Sequence, residues 1–174
     1  QGVSSAASDV YKRQILYKPE TATRVRWNMY SDTPLPPDEP VGENPPDGAI
    51  IDYYIKSTQP AEAEVKLDII DATGKVIRHY SSRDTLYKIP DVNIPTYWIR
   101  SQQILSTNAG THRFLWDMHY APLNVPPSYP ISAIYENTAP AYTSPWVMPG
   151  DYTVALTVGR YTYSQPLHVR MDPR

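Results

Sequence analysis

The clearest pattern lies near the end of the chain. In Gly150–Val158 (GDYTVALTV), Tyr152, Val154, Leu156 and Val158 alternate with Thr153, Ala155 and Thr157. A period of two puts the first set on one face of a β-strand and the second on the other. Gly159-Arg160 then predicts a two-residue turn of the primed type, because glycine supplies the positive φ. In the returning strand, Tyr161–Arg170, Tyr161, Tyr163, Leu167 and Val169 share a face. Pro166 has no N–H to give, so it predicts an edge strand or a bulge. A second hairpin precedes this one. Val65, Leu67 and Ile69 alternate with Lys66 and Asp68 in Glu64–Ile70. The turn Asp71-Ala72-Thr73-Gly74 follows, with glycine at a left-handed position, and Lys75–Ser81 returns. Gly48–Lys56 (GAIIDYYIK) is a short Ile- and Tyr-rich strand bounded by turn residues. In Thr111–His119 (THRFLWDMH), His112, Phe114, Trp116 and Met118 share a face.

The remaining segments lack a clean period. Ile15–Tyr30 reads as an edge strand or as a linker that crosses onto the strands. Ser31–Asp47 has six prolines in seventeen residues and predicts an extended connector. Ser82–Gly110 and Tyr120–Met148 predict two long excursions containing Pro and Tyr, with one helical turn at Ile131–Glu136. Strands of this kind each hide one face, and a second sheet is needed to cover it. The expected fold is all-β: an antiparallel, immunoglobulin-like or fibronectin type III-like sandwich over 48–170. Trp116, Phe114, Leu156 and Tyr152 should dominate its core. Residues 15–47 form the junction leading into it, and 171–174 a truncated continuation.

Composition supports this picture and narrows the chemistry. The chain has 174 residues, of which 41% are hydrophobic, enough for one domain with a real core. Its 15 Tyr and 4 Trp favour strands, and its 19 Pro oppose long helices. The formal net charge is −2, with both signs interspersed, so no basic footprint points to nucleic acid. No apolar run approaches the ~20 residues of a membrane-spanning helix. Cysteine is absent, which removes disulfides, thiolate metal sites and Cys nucleophiles.

Ser4–Gln14 (SSAASDVYKRQ) resembles the in-frame translation of a transposase sequencing adapter, of the kind found at the ends of metagenomic contigs. Residues 1–14 are therefore expected to be a disordered tail, with natural sequence from Ile15. From there on, three runs carry a second resemblance: EVKLDIIDATGKVIRHYSS, AGTHRFLWDMHY and MPGDYTVALTVGRYTYSQPLHVRMDPR. They resemble the C-terminal sandwich of large exported bacterial β-propeller proteins with sortilin-type or Asp-box repeats, often labelled glycosyl hydrolase or sialidase-like. The run from Leu16 to Lys56 resembles the junction after the last propeller blade. The pattern Gly-Lys hairpin, Ala-Gly-X-His-X-X-X-Trp-Asp and Pro-Gly-X-Tyr is also similar to the module of flagellar hook-capping proteins. The resemblance to the propeller proteins implies export to the periplasm, the outer surface or the exterior, and a propeller in the same polypeptide as partner. It carries over no catalytic residue, since no position here matches one.

The residues themselves offer few constellations. His112, Asp117 and His119 lie close in sequence, but alternation sets His112 opposite the other two, and a structural zinc site wants four ligands. Asp117 is expected to cap the loop after its strand. Asp52, Asp68 and Asp71 invite a carboxylate-pair reading. Asp68 alternates with core residues and should be solvated, and Asp71 begins a turn, where its side chain bonds locally. No cofactor, metal or catalytic group is expected. Tyr97, Trp98, Tyr129, Tyr135, Tyr142 and Trp146 sit in the two excursions. They are the candidate binding residues, stacking on carbohydrate or packing as satellite core beneath the loops and against the propeller. The leading expectation is a non-catalytic accessory module that docks through its excursions, and the alternative is a carbohydrate-binding module.

Overall fold

The computed structural model describes residues 14–25, 38–40, 42, 45–60, 63–86, 88, 96, 99–123 and 144–173. The named elements among them are eight strands. They are β1 (Gln14–Leu16), β2 (Ala22–Arg24), β3 (Ala49–Ile55), β4 (Val65–Ile70), β5 (Val76–Ser81), β6 (Gly110–Trp116), β7 (Gly150–Val158) and β8 (Tyr161–Met171). They form two sheets, one ordered β1-β3-β6 and the other β2-β8-β7-β4-β5. The architecture is all-β, and the five-stranded sheet curls into a half-barrel.

One hydrophobic cluster draws on both sheets. Ile51, Tyr53, Ile55, Phe114 and Trp116 come from the three-stranded sheet, and Leu67, Ile69, Val154, Leu156, Leu167 and Val169 from the other. Trp116 and Leu156 are fully buried, and Phe114 and Tyr152 nearly so. Each large side chain taken out of water in this way contributes roughly 1.5–3 kcal/mol, which favours the folded chain over one with separated sheets.

The two hairpins form as their sequences predict. Asp71 accepts bonds from Thr73 N, Thr73 Oγ1 and Lys75 N at 2.9, 2.6 and 3.0 Å, and Gly74 takes a φ of 85°. At the second turn Gly159 has a φ of 59°, and Arg160 is not among the positive-φ residues, the pattern of a type II′ turn. Pro166 lies opposite Thr153. Asp172 N donates to the Arg24 carbonyl, so the N–H groups two, four and six residues earlier point toward that same edge. Position 166 therefore has no N–H to contribute to the ladder with β7, and β2 covers β8 only at Val169–Met171.

The segment after Gln14 crosses between the sheets. β1 pairs antiparallel with β3, and β2 pairs parallel with β8. Gln14, the last residue assigned to the tail, is the first of β1, and its side chain accepts a bond from Tyr163. β6 ends at Trp116 instead of continuing to His119. Asp117 Oδ1 takes the His119 N–H at 3.2 Å, and Met118 adopts a φ of 57°. That left-handed residue turns the chain out of the ladder.

The described end of the first excursion is not a free loop. Residues 99–107 form a strap bonded to β3, to β6 and to Asp47. Arg100 binds Asp47 through both the Asp47 carbonyl, at 2.7 Å, and its carboxylate. Leu115 N donates to Gln103, Leu105 enters the core, and Ser106 exchanges two bonds with the Tyr53 hydroxyl. Through Gln103 the strap satisfies the Leu115 N–H on the edge of β6 away from β3.

Candidate functional site

Two ends of the molecule differ in what they hold. Gly159 and residues 56–60 lie at one end. The other gathers the Asp71–Lys75 turn, the start of β3, the end of β8 and the base of the second excursion. That base is the most elaborately bonded loop structure among the described residues. His119 and Trp146 form an antiparallel bridge, Val147 N donates to Met118 O, and Tyr120 N donates to Pro145 O. Trp116 Nε1 donates to His119 O at 3.1 Å, and Ser144 Oγ donates to Tyr120 O at 2.6 Å. Met118 and Val147 are fully buried in the core.

This neck reaches both edges of the five-stranded sheet. Ala121 N donates to the Ile77 carbonyl on β5 at 3.0 Å. On β2, Arg24 donates to the Val147 carbonyl at 2.8 Å. The neck thus bonds to both edge strands of the curled sheet and ties residues 117–121 to 144–148.

Of the six candidate binding residues, Tyr97, Trp98, Tyr129, Tyr135 and Tyr142 lie outside the described residues, as does the helical turn at 131–136. Trp146 is half-buried in the neck. The His119 ring lies 4.3 Å from its centroid and the Arg24 guanidinium 5.6 Å. The indole is thereby engaged by the fold itself, one contact a cation–π pair. His119 Nδ1 donates to the Ser144 carbonyl at 2.5 Å. A carbonyl only accepts, so neutral His119 carries its proton on Nδ1 and a lone pair on Nε2.

The histidine and carboxylate sets are dispersed. His112 turns to the Asn108 carbonyl at 2.8 Å and packs on Tyr53, away from His119. Among the described residues no three His, Cys, Asp or Glu side chains gather as a metal would require. Asp117 caps the loop after β6. Asp52 holds Arg113 through two bonds of 2.8 Å, and the guanidinium keeps its carboxyl below the ordinary range. Asp68 meets His79 at 2.6 Å on the outward face of the other sheet. The Asp71 carboxyl is held low, chiefly by the Thr73 hydroxyl. Each of the three is committed to its own partner, and they lie in different elements, so they form no opposed pair flanking one bond.

The perturbed hydroxyls are structural as well. Burial pushes the Tyr53 phenol up to about 12. Burial also raises Tyr80, with the nearby Asp117 charge adding to it, and Tyr80 packs edge-on to Phe114 at 4.6 Å. Arg78 lies over the Tyr80 ring at 4.6 Å, with its buried Nε bonded to no partner among the described residues. Sequence reading missed the neck, and the only signal for it was the density of aromatic and turn residues at Trp116–Tyr120 and Ser144–Tyr152.

Set against known proteins, the chain matches no family model, no curated protein and no solved structure.

Proposed function

We propose that this chain is a non-catalytic, immunoglobulin-like accessory module of a larger exported protein. In this reading it packs against or extends a β-propeller of the sortilin-type or Asp-box, glycosyl-hydrolase-associated kind. Strand order supports the immunoglobulin-like part. Lettered A, B and E, strands β1, β3 and β6 give one sheet, and β8, β7, β4 and β5 follow as G, F, C and C′. The strap takes the place of strand D. Tyr152, third in β7, donates its hydroxyl to the Met148 carbonyl at 2.5 Å. That is the bond of a tyrosine corner at the start of strand F.

The observation that carries the functional reading is the neck. Its bonds tie residues 117–121 and 144–148 to the core and to both edges of one sheet, so the excursion leaves from a rigid base. A rigid base lowers the entropy lost when the loop it presents meets a partner. Excursions of this length usually have a role of their own, and docking on the propeller is the role the resemblance favours. Asp52, Asp68, Asp71 and His119 are occupied by bonds within the fold, which favours docking over bond cleavage.

The test is to recover the coding sequence upstream of Ile15 and express the longer chain. Propeller repeats should precede Ile15. Amides of 117–121 and 144–148 should exchange with deuterium at least about tenfold more slowly in the longer chain than in the 174-residue chain. Equal rates, or an unrelated upstream domain, would overturn the reading. A change in tryptophan fluorescence on titration with soluble polysaccharides, abolished by Trp146→Ala, would favour the carbohydrate-binding alternative instead.

A further inference from the structure

The three-stranded sheet turns a second face away from the core. On it the ladder sets Ile15 beside Tyr54 and Thr111, Asp52 beside Arg113, and Ile50 beside Leu115. Tyr17 N donates to the Asp52 carbonyl at 3.0 Å, which brings Tyr17 level with the ion pair. On the far side of β6 the strap supplies Ile104, between Gln103, bonded to Leu115 N, and Leu105, turned into the core. Tyr17 and Ile104 are 43% and 41% exposed, high for large apolar side chains. Read across the face, the order is Tyr17, Asp52, Arg113 and then Ile104, which lies between the strap's bonds to Leu115 and Tyr53: apolar, negative, positive, apolar.

Such a row is its own complement. A two-fold axis lying in the face, along the strands and midway between β3 and β6, sets Asp52 of one copy against Arg113 of the other. The same operation sets Tyr17 against Ile104. We propose that this outer face is a self-association surface on which a second copy of the chain packs with two-fold symmetry. With bonds of 2.8 Å within each Asp52–Arg113 pair, 56% of the Arg113 side chain and 30% of the Asp52 side chain stay accessible. Two such pairs meeting head to tail form an alternating four-charge array. The pair has no net charge, so it gives no steering to a strongly acidic or basic partner. An isologous contact needs this self-complementary patterning.

The face is small. Four elements about 4.8 Å apart over roughly seven residues give a footprint of some 400 Å². Stable interfaces bury about 800 Å² per partner, so the association is weak, with a midpoint on the order of 100 μM.

Sedimentation equilibrium from about 10 μM to about 1 mM at low salt tests it, with near-UV circular dichroism as the control for folding. The wild-type chain should pass from monomer to dimer. Arg113→Asp should weaken association at least ~10-fold, and so should Ile104→Asp, which leaves the ion pair intact. The double exchange Asp52→Arg with Arg113→Asp should restore association to within about threefold. A mixture of the Arg113→Asp and Asp52→Arg chains should associate although neither does so alone. A chain that stays monomeric throughout overturns the proposal. So does association that ignores Arg113→Asp and Ile104→Asp, or that the double exchange does not restore. The docking reading of the neck rests on other residues, 117–121 and 144–148, and survives either result.

Discussion

The two sheets bury similar side chains and show different ones to the outside. Inward, both present large apolar side chains in alternation, with Tyr53, Phe114 and Trp116 on one sheet and Tyr80, Tyr152 and Tyr163 on the other. Outward, the three-stranded sheet sets Ile15, Tyr17, Ile50, Tyr54 and Leu115 around one ion pair. The five-stranded sheet shows short polar residues and exposed pairs: Thr157 with Thr162 at 3.0 Å, His168 with Asp151 at 2.7 Å, Arg170 with Thr23 at 3.0 Å. Inward positions are set by the need to fill one core. Outward positions are free of that need, so their contrast marks what each face meets. A threonine-rich face suits water, whereas a face of Ile, Leu and Tyr suits another surface.

The sharpest way to break the comparison is to remove what both sheets share. Trp116→Ala should cost about 3–5 kcal/mol and lower the melting temperature by roughly 6–20 °C, or prevent folding. Thr157→Ala on the outward five-stranded face should change stability by no more than about 0.5 kcal/mol. A calorimetric scan of both variants separates inward from outward positions directly.

The seam at the start of β3 comes next. Gly48 has a φ of 130°, and a Cβ there would stand 2.6 Å from the Trp116 carbonyl oxygen. Gly48→Ala should destabilise by about 2–3 kcal/mol, measured by urea titration. The strap and the tyrosine corner can then be ranked. Tyr53→Phe removes two bonds to Ser106 and strands its N–H, for about 1–3 kcal/mol. Tyr152→Phe removes one bond to a carbonyl and should cost about 0.5–1.5 kcal/mol. A larger loss at Tyr152 would mean that the neck, not the strap, limits stability.

The smallest effect is on pH. Asp52 and Asp71 have carboxyls held below their ordinary range in the folded chain. The folded state therefore favours their ionised forms. That contribution is complete above the ordinary carboxylate range and fades as pH falls through it toward the lower folded value. Arg113→Ala should flatten the acid limb of stability, because Asp52 loses its main partner. Asp71→Asn should flatten it by removing the titrating group. Both changes should be modest, since the two sites are solvent-screened, and an unchanged acid limb in both would contradict the assignment.

Much of the fold was legible because its strongest signals are local. Alternation, Ile/Tyr-rich composition and turn residues together located β7 without error and β3, β4, β5 and β8 to within one residue of each boundary. Gly74 and Gly159 marked turns that need a positive φ. Pro166 announced an edge, and among the described residues β2 does not pair with β8 there. The rest depends on partners distant in sequence. The strap is fixed by Arg100 and Ser106, each bonded to a residue 53 positions away. No period records such a contact. The end of β6 turns on the left-handed conformation of Met118, which a methionine does not advertise. The neck joins Arg24, His119 and Trp146, which lie far apart in the sequence. The aromatic signal singled out Trp146 but not the ring and guanidinium that hold it.

Native-state hydrogen exchange along a urea series tests most directly whether the two sheets enclose one core. Ladder amides of β3 and β6 and those of β4 and β7 should converge on one opening free energy and one denaturant slope. Early, separate opening of the three-stranded sheet, with the five-stranded sheet still protected, would contradict a shared core centred on Trp116.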